Sequence, residues 1–449
     1  MKNYQLSIKS CPFYKDSGVE GLGEVPENWA IRKAKTVCSH VKDGTHGSFS
    51  RVDIGYPLLS VRNIVNSKFV FLDDDSLISE EDYRSISKSL KIRSGDLQLA
   101  IVGATMGKVA LVPENMTDFV TQRSLATLRP IIKILTSKFF LYFASCSYFQ
   151  DTLWSNTSYS AQPGIYLNSL SNIDILVPAL PEQKAIAQYL DTKTAQIDRK
   201  IDLLTQKAKS YADLKRSLIN ETVTRGLDRS VPMKDSGIEW LGEVPKHWET
   251  KRVNDIASQQ KRKNVGLVEK NLLSLSYGKI KRRDIDTSFG LLPESFETYQ
   301  IVEAGNIILR LTDLQNDQRS LRVGLAKERG IITSAYLCLK FVGDVYPVFA
   351  YYLLFVYDIS KVFYWFGGGL RQSMKFDDIK VFPFIFPPLS EQKAIAEYLD
   401  IKTAQIDQII QTINTQIEKL KELRKTLIND VVTGKIRVIE NGELIIDNY

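Results

Sequence analysis

Cysteine is scarce in this chain and histidine scarcer. Four cysteines (Cys11, Cys38, Cys146, Cys338) and three histidines (His40, His46, His247) are scattered over 449 residues. No C-x-x-C pair occurs, which argues against a zinc cluster and against a disulfide framework and makes reduced, structural thiols the expectation. No cluster of metal-ligand spacing surrounds the histidines, and Asp43-Gly44-Thr45-His46 reads as a turn with solvent-exposed side chains, so no metal site is expected. A G-x-x-x-x-G-K-[ST] phosphate loop is missing, which excludes that type of nucleotide-driven motor. The only adjacent prolines, Pro387 and Pro388, lie in FPPL rather than in the N-P-P-Y or D-P-P-Y motif of an adenine methyltransferase. Apolar runs such as Val345–Tyr357 stop short of the roughly 20 residues that a membrane span needs and read as buried helices. No charged and then apolar leader opens the chain, so a cytoplasmic location is the default.

What the chain does contain is itself, twice. KDSGVEGLGEVPENW, from Lys15 to Trp29, returns as KDSGIEWLGEVPKHW from Lys234 to Trp248, with 11 of 15 positions identical. EQKAIAQYLDTKTAQID, from Glu182 to Asp198, returns as EQKAIAEYLDIKTAQID from Glu391 to Asp407, with 15 of 17 identical. The intervening stretches have drifted almost beyond alignment, and the second is ten residues shorter. Two matching frames around two dissimilar inserts suggest a scaffold that presents two different recognition surfaces in equivalent poses.

Glycine and proline are absent from Glu182 to Arg225, while Pro181 sits where a first helical turn tolerates it. One long helix follows. Its apolar positions Ile197, Ile201, Leu204, Ala208, Tyr211 and Leu218 step by four and three, the rhythm of a coiled-coil seam, with Lys215 the one break. The second copy has Ile406, Ile410, Ile413, Ile417, Leu420 and Leu427, with Arg424 at the equivalent break, Ser390 as a candidate N-cap and Gly434 as a candidate stop. Each helix, roughly 60 to 70 Å long at about 1.5 Å per residue, needs a partner, and the other copy is the obvious one. Packing on its own insert, or oligomerisation, is the alternative.

The inserts carry strand-like runs: Tyr56–Ile64, Gly95–Gly103, Lys108–Val112 and Ser124–Pro130 in the first, Leu272–Ile280, Gly305–Asp313 and Ser334–Phe341 in the second. Each then turns helical and aromatic, which predicts mixed α/β domains of about 160 residues with a curved sheet, the aromatics serving as core. Polar loops, Ser155–Gly164 and Gly367–Phe376, precede the two long helices. Gln at such a tip suits adenine and Arg suits guanine, although any exposed loop contains these residues. The formal charge of +7 is a weak hint of an acidic partner, sharpened by Lys261–Lys263 and by Lys279, Lys281, Arg282 and Arg283 in the second insert. Glu182-Gln183-Lys184 downstream of Asp174 mimics the acidic-x-Lys of a metal nuclease. Its spacing differs between copies and the Glu opens a helix, where the dipole favours it, so that reading is rejected.

The duplicated KDSG-x-E-x-LGEVP-x-x-W and EQ-x-A-I-A-x-Y-L-D segments, each pair closing a variable domain, resemble the specificity subunit of type I restriction-modification systems over nearly the whole chain. The resemblance implies a target-recognition domain at 1–177, a long helix at 178–228, a second recognition domain at 229–385, a second long helix at 386–437 and a tail at 438–449. It implies an antiparallel coiled coil, one half of a bipartite double-stranded DNA site read by each domain, and docking of two methyltransferase subunits and of motor-nuclease subunits. The chain itself is then non-catalytic, and S-adenosylmethionine, ATP and magnesium belong to its partners. Lys108, Ser160, Gln162, Lys281, Arg282, Arg283, Arg310, Arg319, Arg371 and Gln372 are the candidate DNA contacts. Ile197, Ile201, Leu204, Ile406, Ile410, Ile413, Ile417 and Leu420 are the candidate coiled-coil and docking positions. A peptide-binding structural adaptor and a self-sufficient nuclease are the rivals, separable by salt-dependent duplex binding and by metal-dependent cleavage.

Overall fold

The computed structural model describes residues 14–159, 162–284, 295–314, 317, 321–366, 373–438 and 444–445. The chain forms two compact units, residues 1–204 with 415–449 and residues 205–414, so both long helices contribute to both units.

The first repeated segment folds as a hairpin in each unit, Tyr14–Asp16 against Glu24–Pro26 and Met233–Asp235 against Glu243–Pro245. Its residue choices follow from that shape. The aspartate carboxylate accepts the glycine N–H two residues on (Asp16 to Gly18, 3.0 Å; Asp235 to Gly237, 2.9 Å), and the following serine hydroxyl accepts the next N–H but one. Trp29 and Trp248 close the motif as the largest fully buried side chains among the described residues.

Each insert builds a four-stranded antiparallel sheet. In the first unit the order is Val109–Leu111, Leu97–Ala100, Leu125–Pro130, Cys38–Asp43. In the second it is Val323–Leu325, Ile307–Leu309, Leu337–Phe341, Ala257–Gln260. The same order from sequences that have drifted almost beyond alignment means that the inserts share a fold and differ in side chains. The central strands are buried on both faces, which is why they read as continuous apolar runs rather than alternating ones.

Three readings are corrected. Tyr56–Ile64 is a strand only over Tyr56–Leu59, followed by a 3₁₀ turn at Val61–Asn63. Leu272–Ile280 is a hairpin: Leu273–Ser276 pairs with Lys279–Arg282. Its turn residues Tyr277 (φ 48°) and Gly278 (φ 74°) both lie in the left-handed region, as a two-residue type I′ loop requires. The first aromatic stretch is two helices, Ser137–Ser145 and Ser147–Ser155, broken by the extended backbone of Cys146. Its rings are core, as expected: Phe139, Phe140, Phe143 and Phe149 are fully buried, as are Phe349 and Phe363 in the second unit. Cys38, Cys146 and Cys338 are free and buried, and burial pushes their thiols up to about 12.

The long helices run Leu180–Arg225 and Leu389–Val432, 46 and 44 residues. Ser390 is therefore inside the second helix and not its N-cap. Gly226 (φ 76°) and Gly434 (φ 81°) end the two helices in the left-handed conformation. The repeated Gln is fully buried and splices three backbone groups in each unit. Gln183 accepts from Thr136 N–H and donates to the Ile134 and Pro178 carbonyls, and Gln392 does the same with Tyr346, Asp344 and Pro387. The repeated Asp and Thr hold a core tyrosine hydroxyl, Tyr142 on Asp191 and Thr194, Tyr352 on Asp400 and Thr403.

The helices pack antiparallel, forming a coiled coil. Along the first, Ile197, Ile201, Leu204, Ala208, Tyr211 and Leu218 are half-buried. Along the second, Ile406, Ile413 and Ile417 are buried and Ile410, Leu420 and Leu427 half-buried. The two breaks in the stripe pair with the other helix: in the second unit Lys215 Nζ lies 2.6 Å from Asp407 Oδ1, and in the first unit Arg424 Nε lies 2.9 Å from Asp198 Oδ1. Both aspartates are the last residue of the repeated motif. Partly exposed, each pair is worth about 0.2–1 kcal/mol, so its effect is on register more than on stability.

Candidate nucleic-acid interface

The same clasp appears on both sheets. In the first unit the chain leaves Leu97–Ala100 through a loop that meets the polar loop before the long helix. Gly103 N–H donates to the Pro163 carbonyl (2.8 Å) and Ile165 N–H to the Ile101 carbonyl (3.1 Å). Gly107 (φ 92°) has no room for a side chain, since a Cβ there would lie 2.2 Å from Gln150 Oε1, and Gln150 Nε2 donates to the Gly107 carbonyl. Lys108 and Gln162 are both exposed on these two loops, so the fold brings them to one edge. Ser160 lies outside the described residues.

In the second unit Met374 N–H donates to the Leu311 carbonyl (2.9 Å), joining the loop after Ile307–Leu309 to the segment before the long helix. Arg319, Arg371 and Gln372 lie outside the described residues. Arg310 is half-buried and 3.5 Å from Asp317. Arg322, fully buried, uses all five N–H donors to fix this loop. Nε bonds to the Tyr364 hydroxyl, Nη1 to the Arg310 and Thr312 carbonyls, and Nη2 to the Asp313 and Asp317 carbonyls. Its own N–H donates to Asp358 Oδ2 (2.6 Å), and burial pushes the Asp358 carboxyl up to about 6.

The basic cluster lies on the hairpin described above. Leu275 and Ile280 rest on Gly324, where any side chain would collide with them. The alternation of a strand then turns Ser274, Ser276, Lys279 and Lys281 to the other face. Lys281 and Arg283 are exposed and enter no ion pair among the described residues. Arg282 is forked onto Glu328, and that contact raises its pKa, while Lys279 Nζ is 3.6 Å from Asp407 Oδ2. The hairpin tip meets the loop that follows Ile307–Leu309 at Leu321, whose Cβ is 3.0 Å from where a Gly278 Cβ would stand. Tyr277, 80% exposed, stands at that tip. Reading Leu272–Ile280 as one strand hid Tyr277; the Tyr-Gly pair inside it was the turn signal. Arg322 and Asp358 gave no local signal at all.

The histidines are unlinked to this edge. His46 Nε2 is 2.6 Å from Asp43 Oδ2, His247 is 2.7 Å from Glu391, and burial and Arg129 hold His40 below its ordinary pKa. No group of three or more metal-ligating side chains converges among the described residues. Asp174 pairs with Lys33 and Glu182 with Arg437, which accounts structurally for the acidic members of the nuclease-like triplet. No helix among the described residues is long and apolar enough to cross a membrane.

Comparison with known proteins agrees with this architecture. The putative type I restriction enzyme MjaX specificity subunit of Methanocaldococcus jannaschii is 26% identical over 446 residues, 95% of this chain and 98% of that one. The MjaVIII specificity subunit of the same organism is 25% identical over 459 residues, 95% and 97% of the two chains. Among solved structures, a chain from work on complex assembly and conformational transition of the type I R-M system superposes with a TM-score of 0.68 at 14% identity, covering 91% of this chain and 98% of that one. The HsdS subunit from Thermoanaerobacter tengcongensis gives 0.50 at 16% identity, covering 92% and 99%. Residues 26–209 and 331–419, more than half of the sequence, match the type I restriction modification DNA specificity domain, and the chain belongs to that family.

Proposed function

We propose that each unit reads one half of a bipartite, asymmetric duplex DNA site through its clasped loops, and that the chain has no catalytic activity of its own. The antiparallel helices then serve as spacer and as docking surface for two adenine-N6 methyltransferase subunits, with motor-nuclease subunits joining for restriction. S-adenosylmethionine, ATP and magnesium are bound by those partners. What supports this reading most is that one clasp, on one sheet topology and one frame, carries different residues in the two units: Lys108 and Gln162 in the first, Arg310 and the basic hairpin in the second. Phosphate contacts position a protein and base contacts specify, so Lys281 and Arg283 are assigned to phosphates and Gln162 to a base edge.

Binding of the full chain, with its methyltransferase partner, to duplex DNA at graded salt tests this. Lys281→Ala with Arg283→Ala weakens binding to every sequence and flattens the log–log salt slope by up to about 0.9 for each phosphate that is no longer neutralised. An unchanged slope removes the hairpin from the interface.

A further inference from the structure

The repeated EQKAIA segment builds the same surface twice, and the two copies are in different states. In the first unit the chain turns at Gly434 and brings Ile436, Arg437 and Val438 back onto the start of the first long helix. Val438 is buried and Ile436 packs on the core that contains Ile186 and Ala185. Arg437 Nη2 is 3.4 Å from Glu182 Oε1. Glu182 keeps only 14% of its side chain exposed, Ala185 is half-buried, and the buried Trp29 Nε1 has no hydrogen-bond partner among the described residues.

In the second unit the corresponding glutamate and alanine are less covered, while Ile395 is as buried as Ile186. Ala394 is exposed and Glu391 keeps 39% of its side chain exposed. Glu391 turns to its neighbours instead, accepting from Trp248 Nε1 (2.9 Å) and contacting His247 Nε2 (2.7 Å). Beside them is a cleft of about 330 Å³ lined by Arg225, Pro245, His247, Glu391, Ala394 and Ile395. The chain leaving Gly226 lines one side of it through Leu227, Asp228 and Val231, and Leu227 is left 45% exposed.

We infer that this cleft receives a short extended segment of a partner protein with an apolar–Arg–apolar sequence. The first unit supplies the template: Ile436-Arg437-Val438 sits on the same motif, with its guanidinium on the same glutamate. The carboxylates of Glu391 and Asp228 line the cleft against the one guanidinium of Arg225 and so favour a cation, and exposed Ala394, with Ile395 buried behind it, takes the flanking side chains. Arg insertion draws Glu391 from Trp248 Nε1 and displaces His247, leaving the indole as Trp29 is left in the first unit. An Arg–carboxylate contact of this kind exchanges one charge-assisted hydrogen bond for another, so the apolar contacts supply the net gain and the Arg supplies the selection.

The probe is the peptide Gly434–Val438 (GKIRV), blocked at both ends and titrated into the full chain labelled with 5-fluorotryptophan, whose five tryptophans are assigned by Trp→Phe replacement. The expected result is a saturable shift of the Trp248 signal with Trp29 unmoved, about tenfold weaker binding when the peptide Arg becomes Gln, and loss of binding in Ala394→Arg. His247→Ala, which removes the competitor for Glu391, leaves binding unchanged or a few-fold tighter, an outcome that misfolding cannot produce. A Trp248 signal that does not respond, binding that survives Ala394→Arg, or a shift of Trp29 alone, which means exchange with the chain's own Ile436–Val438 segment, overturns the inference.

Discussion

Arg322 is the residue that holds the loop after Ile307–Leu309 in the second unit. It has five donors and five oxygen acceptors, four of them backbone carbonyls between Arg310 and Asp317. Lysine keeps the charge and loses the fork, so Arg322→Lys strands several carbonyls and costs about 3 kcal/mol or more. With methyltransferase present, it relaxes recognition of one half-site and leaves the other intact; equal loss at both contradicts the assignment. Asp358 below it gives a pH signature. Its folded carboxyl titrates at about 6 against about 3.9 when unfolded, so its stabilising contribution is complete below about pH 3.9 and is lost as pH rises through 6. Asp358→Asn keeps an oxygen for the Arg322 N–H and abolishes that loss. Relative to the parent it gains on the order of 2–3 kcal/mol between pH 4 and 7.5, read as the difference in urea unfolding midpoints; a pH-independent difference contradicts it.

Among the elements, the long helices were the most legible in sequence, because a heptad stripe without glycine or proline has few other ways to fold. Lys215 and Arg424 were visible as breaks, yet their partners were not, since Asp407 and Asp198 lie about 200 residues away and nothing local encodes that pairing. These pairs fix the register, which a charge swap tests. Asp407→Lys lowers the unfolding midpoint, and adding Lys215→Asp restores it in part, since Lys279 also faces position 407, with a coupling of about 0.5–1 kcal/mol at low salt that fades at high salt. Additive effects of the two changes leave the register unsupported. The sheets were legible as strands but not as equivalents. Topology needs only apolar residues at buried positions, so Leu97–Ala100 and Ile307–Leu309 keep their place while little identity survives. The clasp was invisible because backbone hydrogen bonds between loops leave no mark on side-chain pattern.

For the whole molecule, the duplication sets two matching frames around two dissimilar inserts. Gln183 and Gln392, Tyr142 and Tyr352, and the buried tryptophans hold each insert to the frame through contacts that do not involve the clasped loops. On the proposed reading, an insert is exchangeable without disturbing the frame. The most direct measurement maps methylated adenines genome-wide in cells that express the chain and its methyltransferase partner, before and after residues 30–177 are replaced by the equivalent insert of another family member. The expected result is a bipartite motif in which one half changes while the other half and the spacer stay as they were. A motif whose two halves change together, or one that does not change in an assembled, active complex, contradicts it.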